Sequence, residues 1–352
     1  MGIDLRLQRF ADVNVDDPFF DSLKNDYREF VHWFEKKGRE GACAYTLYDE
    51  GVLSGFMYLK IEEEAVGDVH PALPYARRVK LGTLKINGHG SRLGERFIKK
   101  ALDHAIDSEA SDIYVTVFDK HLPLIRLLFE FGFGQYGQKK TENGIEIVML
   151  KSLYPKITGN VRRDYPLIDT RDRQKFLLAI KPEWHTQLFP DSILNNESFD
   201  IVQDVSHTNS IQKTYICSMD LGFVRPGDIA VIYRTTDIEG RARYRAVATS
   251  VCTVEDIRDK RQFAGEDDFV DFTLPFSVFD EGYIRSLWRN NGRLYALKML
   301  YNAAFSRRLT RGLLIDEVGL NKEAYWGCMR LSDSQFFNVL ERGGVSGRLV
   351  IH

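Results

Sequence analysis

A glycine-rich turn followed by an amphipathic helix is the clearest candidate for ligand chemistry. It spans Asn87 to Glu95 and contains Gly88, Gly90 and Gly94. Glycines let a ligand approach backbone N–H groups closely, and the positive end of the following helix dipole favours a phosphate. Ser91 can cap that helix, while His89 and Arg92 can add charge-assisted hydrogen bonds. The turn is therefore predicted to hold a phosphate group.

Acid–base chemistry has several candidates on other elements. The candidate bases are Glu62, Glu63, Glu64 and His121, and the candidate hydroxyl donors are Tyr114, Thr116 and Tyr136. A positioned carboxylate, an imidazole or a water molecule can remove a proton from an amine, and a hydroxyl can donate one. A solvated strand end for the glutamates and a helix cap for His121 are the alternatives. Sequence spacing leaves this choice open.

Composition restricts the remaining chemistry. The four cysteines lie far apart, with no CxxC pair and no histidine at zinc-finger spacing, so no metal site is predicted. The net charge of -2 gives no general attraction for nucleic acid or an anionic membrane. Because no long apolar run or secretory signal is found, a cytoplasmic protein without membrane contact is expected.

The elements that must position these residues are predicted in a mixed α/β order. In the first half, strands are expected over 3–10, 42–48, 52–61, 78–86, 113–118 and 145–150, and helices over 16–37, 91–106 and 122–131. In the fourth strand, strict alternation would place Leu81 and Leu84 on opposite faces of the sheet although both are apolar. A β-bulge at Gly82-Thr83 would explain this, and a sheet covered on both faces is the alternative.

The second half has a different sequence pattern, with short apolar runs separated by turns. Residues 154–172 are polar and irregular and are predicted to be a linker. Strands are expected over 215–218, 229–234, 244–254 and 269–274, and helices over 280–287 and 332–341, which together indicate a small β-barrel. A chain of 352 residues, 44% of them hydrophobic, is large enough for two such domains.

Basic and aromatic residues near one turn of this half could contact nucleic acid. The arginines are Arg234, Arg241, Arg243 and Arg245, and the aromatics are Trp184, Tyr233, Tyr244 and Trp288. Aromatic rings stack on bases and arginines contact phosphates. A solvated basic hairpin and ordinary core packing are the alternatives.

The first 150 or so residues resemble the GNAT superfamily of N-acetyltransferases. His89-Gly90-Ser91-Arg92-Leu93-Gly94 occupies the frame of the acyl-CoA motif (Gln/Arg)-x-x-Gly-x-(Gly/Ala), with His89 and Arg92 departing from it. Phe131-Gly132-Phe133 is similar to the family's common Leu-Gly-Phe. The resemblance implies a GNAT fold, a mixed twisted sheet with flanking helices, that uses acetyl-CoA.

The resemblance also implies roles for individual residues. The backbone at the fourth-strand bulge, near Leu84 and Ile86, would hold the thioester carbonyl. The turn residues His89 to Glu95, and His121 at the position of a common Asn, would contact the cofactor. The catalytic candidates are His121, Tyr136 and Glu64. Leu128 stands where the family often has the Tyr that protonates the leaving thiolate, so a degenerate site remains an alternative.

The second half resembles PUA-like barrels, a superfamily that includes the ASCH and EVE families. Its Arg225-Pro226-Gly227-Asp228 turn leads into an apolar run, as the Pro-Gly-Asp turn does in those barrels. The ASCH-type Gly-x-Lys-x-x-Glu-x-Arg signature is absent. The resemblance implies RNA or a modified nucleobase as a partner near this domain.

Together these patterns predict a GNAT acyltransferase domain over 1–153, a linker over 154–172 and a mainly β PUA-like barrel over 173–352. The expected function is N-acetyl transfer from acetyl-CoA to an amine, with an RNA-borne amine such as that of an aminoacyl-tRNA as one candidate acceptor. A second hypothesis is a catalytically degenerate protein that senses acyl-CoA or binds nucleic acid. A third is acylation of a small molecule or peptide, with the barrel as a lid or dimerisation module.

Overall fold

The computed structural model describes residues 4–87, 93–154, 156–189 and 210–352. Within these residues the chain divides into two compact units, the first ending at Lys156 and the second beginning at Ile157. Each unit has a sheet and hydrophobic clusters of its own. The units are therefore described separately.

The first unit is built on a seven-stranded sheet with the order β1-β2-β3-β4-β5-β7-β6. Its strands are β1 (Asp4–Arg9), β2 (Cys43–Asp49), β3 (Val52–Val66), β4 (Leu73–Ile86), β5 (Asp112–Phe118), β6 (Gly134–Thr141) and β7 (Gly144–Ser152). All neighbouring strands are antiparallel except β4 and β5. The sequence did not predict β6, because this edge strand is largely polar and partly exposed and so lacks the apolar alternation of a half-buried strand.

Four helices flank this sheet: α1 (Asp21–Asp26), α2 (Phe30–Arg39), α3 (Leu93–Asp107) and α4 (Leu122–Glu130). The sequence predicted one helix over 16–37 where the structure has α1 and α2. Tyr27 ends α1 in an extended conformation, and its hydroxyl donates to the buried Glu146 of β7 at 2.7 Å. This tertiary contact breaks a helical pattern whose apolar face is continuous in sequence.

The predicted irregularity in β4 is a bulge at Gly82. Tyr58 of β3 pairs with Thr83, but the next residue, Leu59, pairs with Leu81, so Gly82 is the extra residue. A bulge changes the phase of the side chains that follow it. The parity change between Leu81 and Leu84 is thereby explained, and the prediction is confirmed.

The helices are held to this sheet by large apolar side chains. Phe97, on the inner face of α3, is fully buried against β3, and a Cβ placed on Gly55 would lie 2.5 Å from its ring. Beneath α1 and α2 the sheet buries an aromatic cluster that includes Phe10, Phe20 and Phe56. These contacts fix the helices that surround the candidate site.

The second unit has a six-stranded sheet with the order β10-β13-β12-β11-β9-β14, and a separate parallel pair, β8 with β15. The strands are β8 (Ile168–Asp169), β9 (Lys175–Ile180), β10 (Gln212–Cys217), β11 (Ile229–Arg234), β12 (Val247–Asp259), β13 (Tyr295–Thr310), β14 (Cys328–Leu331) and β15 (Val350–Ile351). The helices are α5 (Val161–Asp164), α6 (Pro182–Leu188), α7 (Ala242–Arg245), α8 (Glu266–Thr273), α9 (Glu281–Asn290), α10 (Arg311–Asp316) and α11 (Asp333–Gly343).

The predicted barrel is not closed in the part of the chain that the structure describes. Its edge strands, β10 and β14, pair only with β13 and β9. Both faces of the sheet are buried instead. In β9, Leu177 belongs to a cluster with α10 and α11, whereas Phe176 and Leu178 belong to a cluster with α6. Hydrophobic residues on both faces explain the continuous apolar runs without requiring closure.

Other sequence predictions for this unit differ from the structure. Residues 269–274, predicted as a strand, lie mostly in α8, whose first turn contains three acidic residues that favour a helix N-terminus. From Ile157 onward the predicted linker belongs to the second unit and contains α5 and β8. The Pro-Gly-Asp turn does lead into β11. Gly227 in this turn has a φ of 90°, and the Arg173 guanidinium occupies the space that a Cβ at this position would need.

Among the described residues, no helix combines the length and the apolar character that crossing a membrane requires. The same residues contain no group of three or more metal-ligating side chains.

Candidate functional site

A cavity of the first unit lies where β4 and β5 separate. The two strands pair in parallel only between Arg78–Leu81 and Asp112–Val115, although β4 continues to Ile86 and β5 to Phe118. Past the bulge, the diverging strands border a cavity of about 770 Å³. Residues of α1, α2 and α4 and the start of α3 complete its lining.

One edge of β4 presents backbone groups to this cavity. The N–H of Asn87 donates to the carbonyl of Ser54 in β3 at 2.8 Å. Because backbone N–H groups alternate between the two edges of a strand, those of Lys85 and Thr83 also face β3, whereas those of Leu84 and Ile86 face the opposite edge. That edge has no strand partner beyond Leu81. Both residues line the cavity, as the sequence prediction requires.

The helix α3 begins beside the same cavity. Gly94 lines it, and a Cβ there would lie 2.6 Å from the side chain of Leu127 in α4, so a glycine allows the two helices to approach. Leu93 is buried, and Glu95 is 9% exposed in the first turn. The predicted ligand residues His89, Gly90, Ser91 and Arg92 lie outside the described residues.

His121 is the predicted catalytic residue that the structure places in the cavity lining. It immediately precedes α4, and its Nε2 lies 2.9 Å from Oδ2 of Asp26 at the end of α1. The side chain of Asp26 is only 10% exposed and is also bound by the Lys120 ammonium. A carboxylate in this position fixes the orientation and tautomer of an imidazole. His121 and Asp26 are therefore suited to proton transfer.

A second carboxylate and several aromatic rings line the cavity beside α2. Glu29 accepts hydrogen bonds from the amide of Asn143, and Trp33 and Phe30 line the same wall. Tyr27 also lines this wall. Burial, and to a smaller extent the hydrogen bond to Glu146, raises the pKa of Tyr27 far above its ordinary range. Tyr27 is consequently a poor proton donor at neutral pH.

Lys85 supplies a positive charge to the lining. Its Nζ donates to the hydroxyl of Ser22 in α1 and lies 5.1 Å from the ring centre of Phe19. Burial lowers the pKa of Lys85 below its ordinary value, although Asp21 and Asp26 act in the opposite direction.

The candidate hydroxyl donor Thr116 also lines this cavity, whereas the candidates Glu64, Tyr136, Glu62 and Tyr114 do not. Glu64, near the end of β3, is 65% exposed and lies 3.8 Å from the Lys60 ammonium. The hydroxyl of Tyr136, on β6, donates to the carbonyl of Ala72 at 3.0 Å. Glu62 is buried with the hydroxyl of Tyr114, which donates to it at 2.8 Å. These groups form contacts of their own at a separate part of the sheet.

The four arginines predicted to contact nucleic acid have different environments. Arg234 is buried near His185, whereas Arg241 is exposed beside α7. Arg243 forms an ion pair with Asp316, and Arg245 binds Asp237 through two nitrogens. The hydrogen bonds from Arg245 lower the pKa of Asp237 to about 2. Two of the four guanidinium groups thus have carboxylate partners already.

The sequence analysis missed three lining residues with chemical potential: Asp26, Glu29 and Lys85. All three lie on elements that were assigned to core packing or to a predicted strand. The one local signal is the acidic Asp16-Asp17, Asp21 and Asp26 series around an otherwise apolar helical pattern. Pairing of Asp26 with His121, 95 residues away, depends on the fold.

The comparisons with known proteins give no sequence relatives and weak structural likenesses. No protein-family model and no curated protein matches the chain. An ASCH structure from Zymomonas mobilis is similar at 10% identity and a TM-score of 0.34, over 48% of this chain and 96% of its own. A candidate acetyltransferase from Salmonella typhimurium, solved with its cofactor acetyl-CoA, has 15% identity and a TM-score of 0.34, over 45% and 98%. An N-acetyltransferase from Staphylococcus aureus Mu50 has 11% identity and a TM-score of 0.33, over 43% and 99%.

Proposed function

We propose that the first unit transfers an acetyl group from acetyl-CoA to an amine. The observation on which this rests is the separation of the parallel strands β4 and β5, which exposes the N–H groups of Leu84 and Ile86 to a cavity of about 770 Å³. A strand edge with free N–H groups can bind the extended amide chain of pantetheine as a neighbouring strand would. The same groups can hold the thioester carbonyl.

The described residues fit an acyl-CoA in two further respects. The cavity continues to Gly94, so a ligand in it reaches the first turn of α3, a 15-residue helix whose N-terminus favours phosphate. An N–H directed at the thioester oxygen stabilises the negative charge that develops when the carbonyl is attacked. These two features support the proposal that pantetheine and the reactive carbonyl lie along β4, with the phosphates toward the start of α3.

The reaction needs a neutral amine beside the thioester. We assign the removal of the amine's proton to His121, held in orientation by Asp26 at 2.9 Å. The amine nitrogen then forms a bond to the carbonyl carbon, the carbon–sulfur bond breaks, and CoA leaves as a thiolate that takes up a proton. Positioning both reactants and removing the proton are established sources of rate enhancement.

The part of the cavity lined by Asp26, Glu29 and Trp33, where we expect the acceptor to bind, favours an amine with a positive charge. Asp26 and Glu29 both line it, and Trp33 offers a ring over which a cation can lie. Glu29, whose hydrogen-bond partner Asn143 is neutral, attracts cationic amines, whereas the charge of Asp26 is shared with Lys120 and His121. We therefore expect primary amines to be better acceptors than neutral alcohols or anionic amino acids.

Calorimetry and a thiol-release assay test this proposal. Acetyl-CoA is expected to bind the full chain at a single site, and repeated turnover, with more than one equivalent of free CoA per chain, is expected only when a cationic primary amine is added. An anionic amino acid of similar size is the matched control for the acceptor. Absence of acetyl-CoA binding would remove the basis of the proposal.

A second candidate function is the sensing of acyl-CoA without turnover. Leu128, at the position where the resembling family often has its proton-donating Tyr, is fully buried. The cavity thus lacks that particular donor for the leaving thiolate. Saturable acetyl-CoA binding with no thiol release for any amine would favour this function over acetyl transfer.

We propose an RNA-borne amine as a more specific acceptor on the basis of the resemblance of the second half to PUA-like barrels, and not on the basis of its arginines. Arg243 and Arg245 are paired with carboxylates, and Arg234 is buried. Phosphate contacts make RNA binding depend strongly on salt. If RNA delivers the acceptor, the full chain will bind a labelled single-stranded RNA with an affinity that falls as salt rises.

A further inference from the structure

Lys85 holds an amine inside the cavity that the proposed function assigns to acetyl-CoA. Among the described lining residues no other lysine is present. Its Cα directly follows Leu84, whose N–H faces the space assigned to the thioester carbonyl. The amine lies beside Ser22, which also lines the cavity, at the end of a side chain with four rotatable bonds that begins one residue after Leu84.

The contacts of Lys85 leave its amine available. Within the described chain it forms no ion pair, and its polar contact is with the neutral hydroxyl of Ser22. Of the two carboxylates that act on it, Asp21 is paired with Lys24 at 3.5 Å and Asp26 with Lys120 and His121. An amine must lose its proton to attack a carbonyl, and burial shifts Lys85 in that direction by lowering its pKa.

We propose that Lys85 is a modification site, acylated on Nζ by the acyl-CoA that occupies the same cavity. This inference rests on the proposed function, because it requires acyl-CoA to bind between β4 and β5. It goes beyond that function by naming an acceptor within the chain itself.

The modification is a complete acyl transfer. The neutral Nζ of Lys85 attacks the thioester carbon, a carbon–nitrogen bond forms, and the carbon–sulfur bond breaks with its electron pair on sulfur. One proton leaves the nitrogen, and the CoA thiolate takes up one proton to become the thiol. The products are an amide on Lys85 and free CoA. Since an amide is stable in water, each chain should accept one acyl group.

Labelled acetyl-CoA tests the inference on the full chain without an added amine. Intact mass should increase by one acetyl group, and peptide mapping should place that group on Lys85. Proximity should make this reaction at least about tenfold faster than acetylation of any other lysine. Excess free CoA should suppress the labelling of Lys85 because it competes for the cavity.

Matched substitutions separate a site-directed reaction from general lysine chemistry. Lys85→Arg keeps the charge and should abolish the label. Lys24→Arg changes a lysine of α1 that is paired with Asp21 and lies outside the cavity lining, and should leave the label unchanged. Equal labelling of several lysines, or labelling of Lys85 that excess CoA does not suppress, would overturn the inference.

The failure of this inference can be distinguished from the failure of the proposed function. If acetyl-CoA binds by calorimetry and Lys85 stays unmodified, the inference is wrong while the proposed function stands. If acetyl-CoA does not bind, both are wrong.

Discussion

His121 and Asp26 are the residues on which the proposed chemistry depends most directly. Their hydrogen bond joins the end of α1 to the start of α4, and both side chains line the cavity. Lys120 binds the second oxygen of the same carboxylate, so Asp26 is held on both sides. An imidazole held in this way keeps a fixed orientation, which the proposed removal of a proton from an amine requires.

Replacing His121 by Ala is expected to lower kcat for amine acetylation by about 10²- to 10⁴-fold, the usual contribution of a general base. Affinity for acetyl-CoA should change much less, because the backbone of β4 supplies most of the proposed contacts. Steady-state kinetics with calorimetry measures both. His32→Ala, on the exposed face of α2, is the control and should keep kcat. Equal kcat values in the two variants would contradict the role of His121.

His185 predicts a pH dependence of stability in the second unit. It is fully buried, with Nε2 2.7 Å from the hydroxyl of Thr249. Burial, with smaller effects from Arg234 and Arg308, lowers its pKa from 6.5 to about 3. As the pH falls below 6.5, the unfolded chain takes up the proton first, so this contribution to stability is present above pH 6.5 and is lost on acidification.

Protonation of His185 in the unfolded chain should lower the free energy of unfolding of the second unit by about 2 kcal/mol between pH 6.5 and about pH 5. Urea unfolding at the two pH values measures the loss, and His185→Asn serves as the reference without this titration. The wild-type loss should exceed the variant's by that amount. Parallel pH profiles would show that His185 can be protonated in the folded state.

At the scale of elements, the bulge in β4 separates two functions of one strand. From Arg78 to Leu81 the strand pairs with both β3 and β5, and after Gly82 only β3 remains a partner. The edge facing the cavity is thereby left with N–H groups that the sheet does not use. A single strand both completes the sheet and provides the proposed binding edge.

Proline substitutions test which edge of β4 serves the ligand. Leu84→Pro removes an N–H that β3 does not use, so acetyl-CoA binding should weaken by about 1–3 kcal/mol, or roughly tenfold to a hundredfold. Thr83→Pro removes an N–H that faces β3 and should mainly lower the melting temperature. Calorimetry and thermal unfolding of both variants provide the measurement. An unchanged affinity in Leu84→Pro would exclude this N–H as a contact.

The packing of α3 on β3 gives a prediction about stability. A Cβ on Gly55 would lie 2.5 Å from the buried ring of Phe97, which cannot move without disturbing the core. Gly55→Ala should therefore destabilise the first unit by about 1–3 kcal/mol. Gly67→Ala, where no atom lies within 4 Å of the new Cβ, is the control and should be close to neutral. Chemical denaturation of both variants decides the matter.

At the scale of the whole molecule, the chain combines two units that each bury their own cores. The cavity lining runs from Ser22 to Leu127 and lies entirely in the first unit. The second unit contains its own six-stranded sheet and its buried clusters. We therefore expect the first unit to bind acetyl-CoA by itself.

Residues 1–156 expressed alone should fold and bind acetyl-CoA with the affinity of the full chain. Circular dichroism and calorimetry measure the two properties, and residues 157–352 alone provide the control that should not bind. A folded first unit without binding would mean that the second unit contributes to the site.

Much of the fold could be predicted from sequence because local patterns determine it. The strand and helix periodicities identified the mixed α/β order of the first unit, the bulge at Gly82, and β11 with its Pro-Gly-Asp turn. The sequence reasoning missed the edge strand β6, which is polar, and β13, a 16-residue strand whose neighbours in the sheet are distant in sequence. Short apolar runs punctuated by turns led to the expectation of a barrel, but the sheet formed by the described residues is open and is buried on both faces.

The sequence by itself determined that a strand, a glycine-rich turn and an amphipathic helix follow one another, and the family resemblance made Leu84, Ile86 and His121 candidates for one site. Only the tertiary structure decided that Asp26 accompanies His121, that Lys85 lies in the same cavity, and that Glu64 and Tyr136 lie outside its lining. The physical reason is that periodicity reports which face of an element is buried. Which groups meet across a gap between strands depends on the register and divergence of those strands, and on a helix break made by a contact 119 residues away.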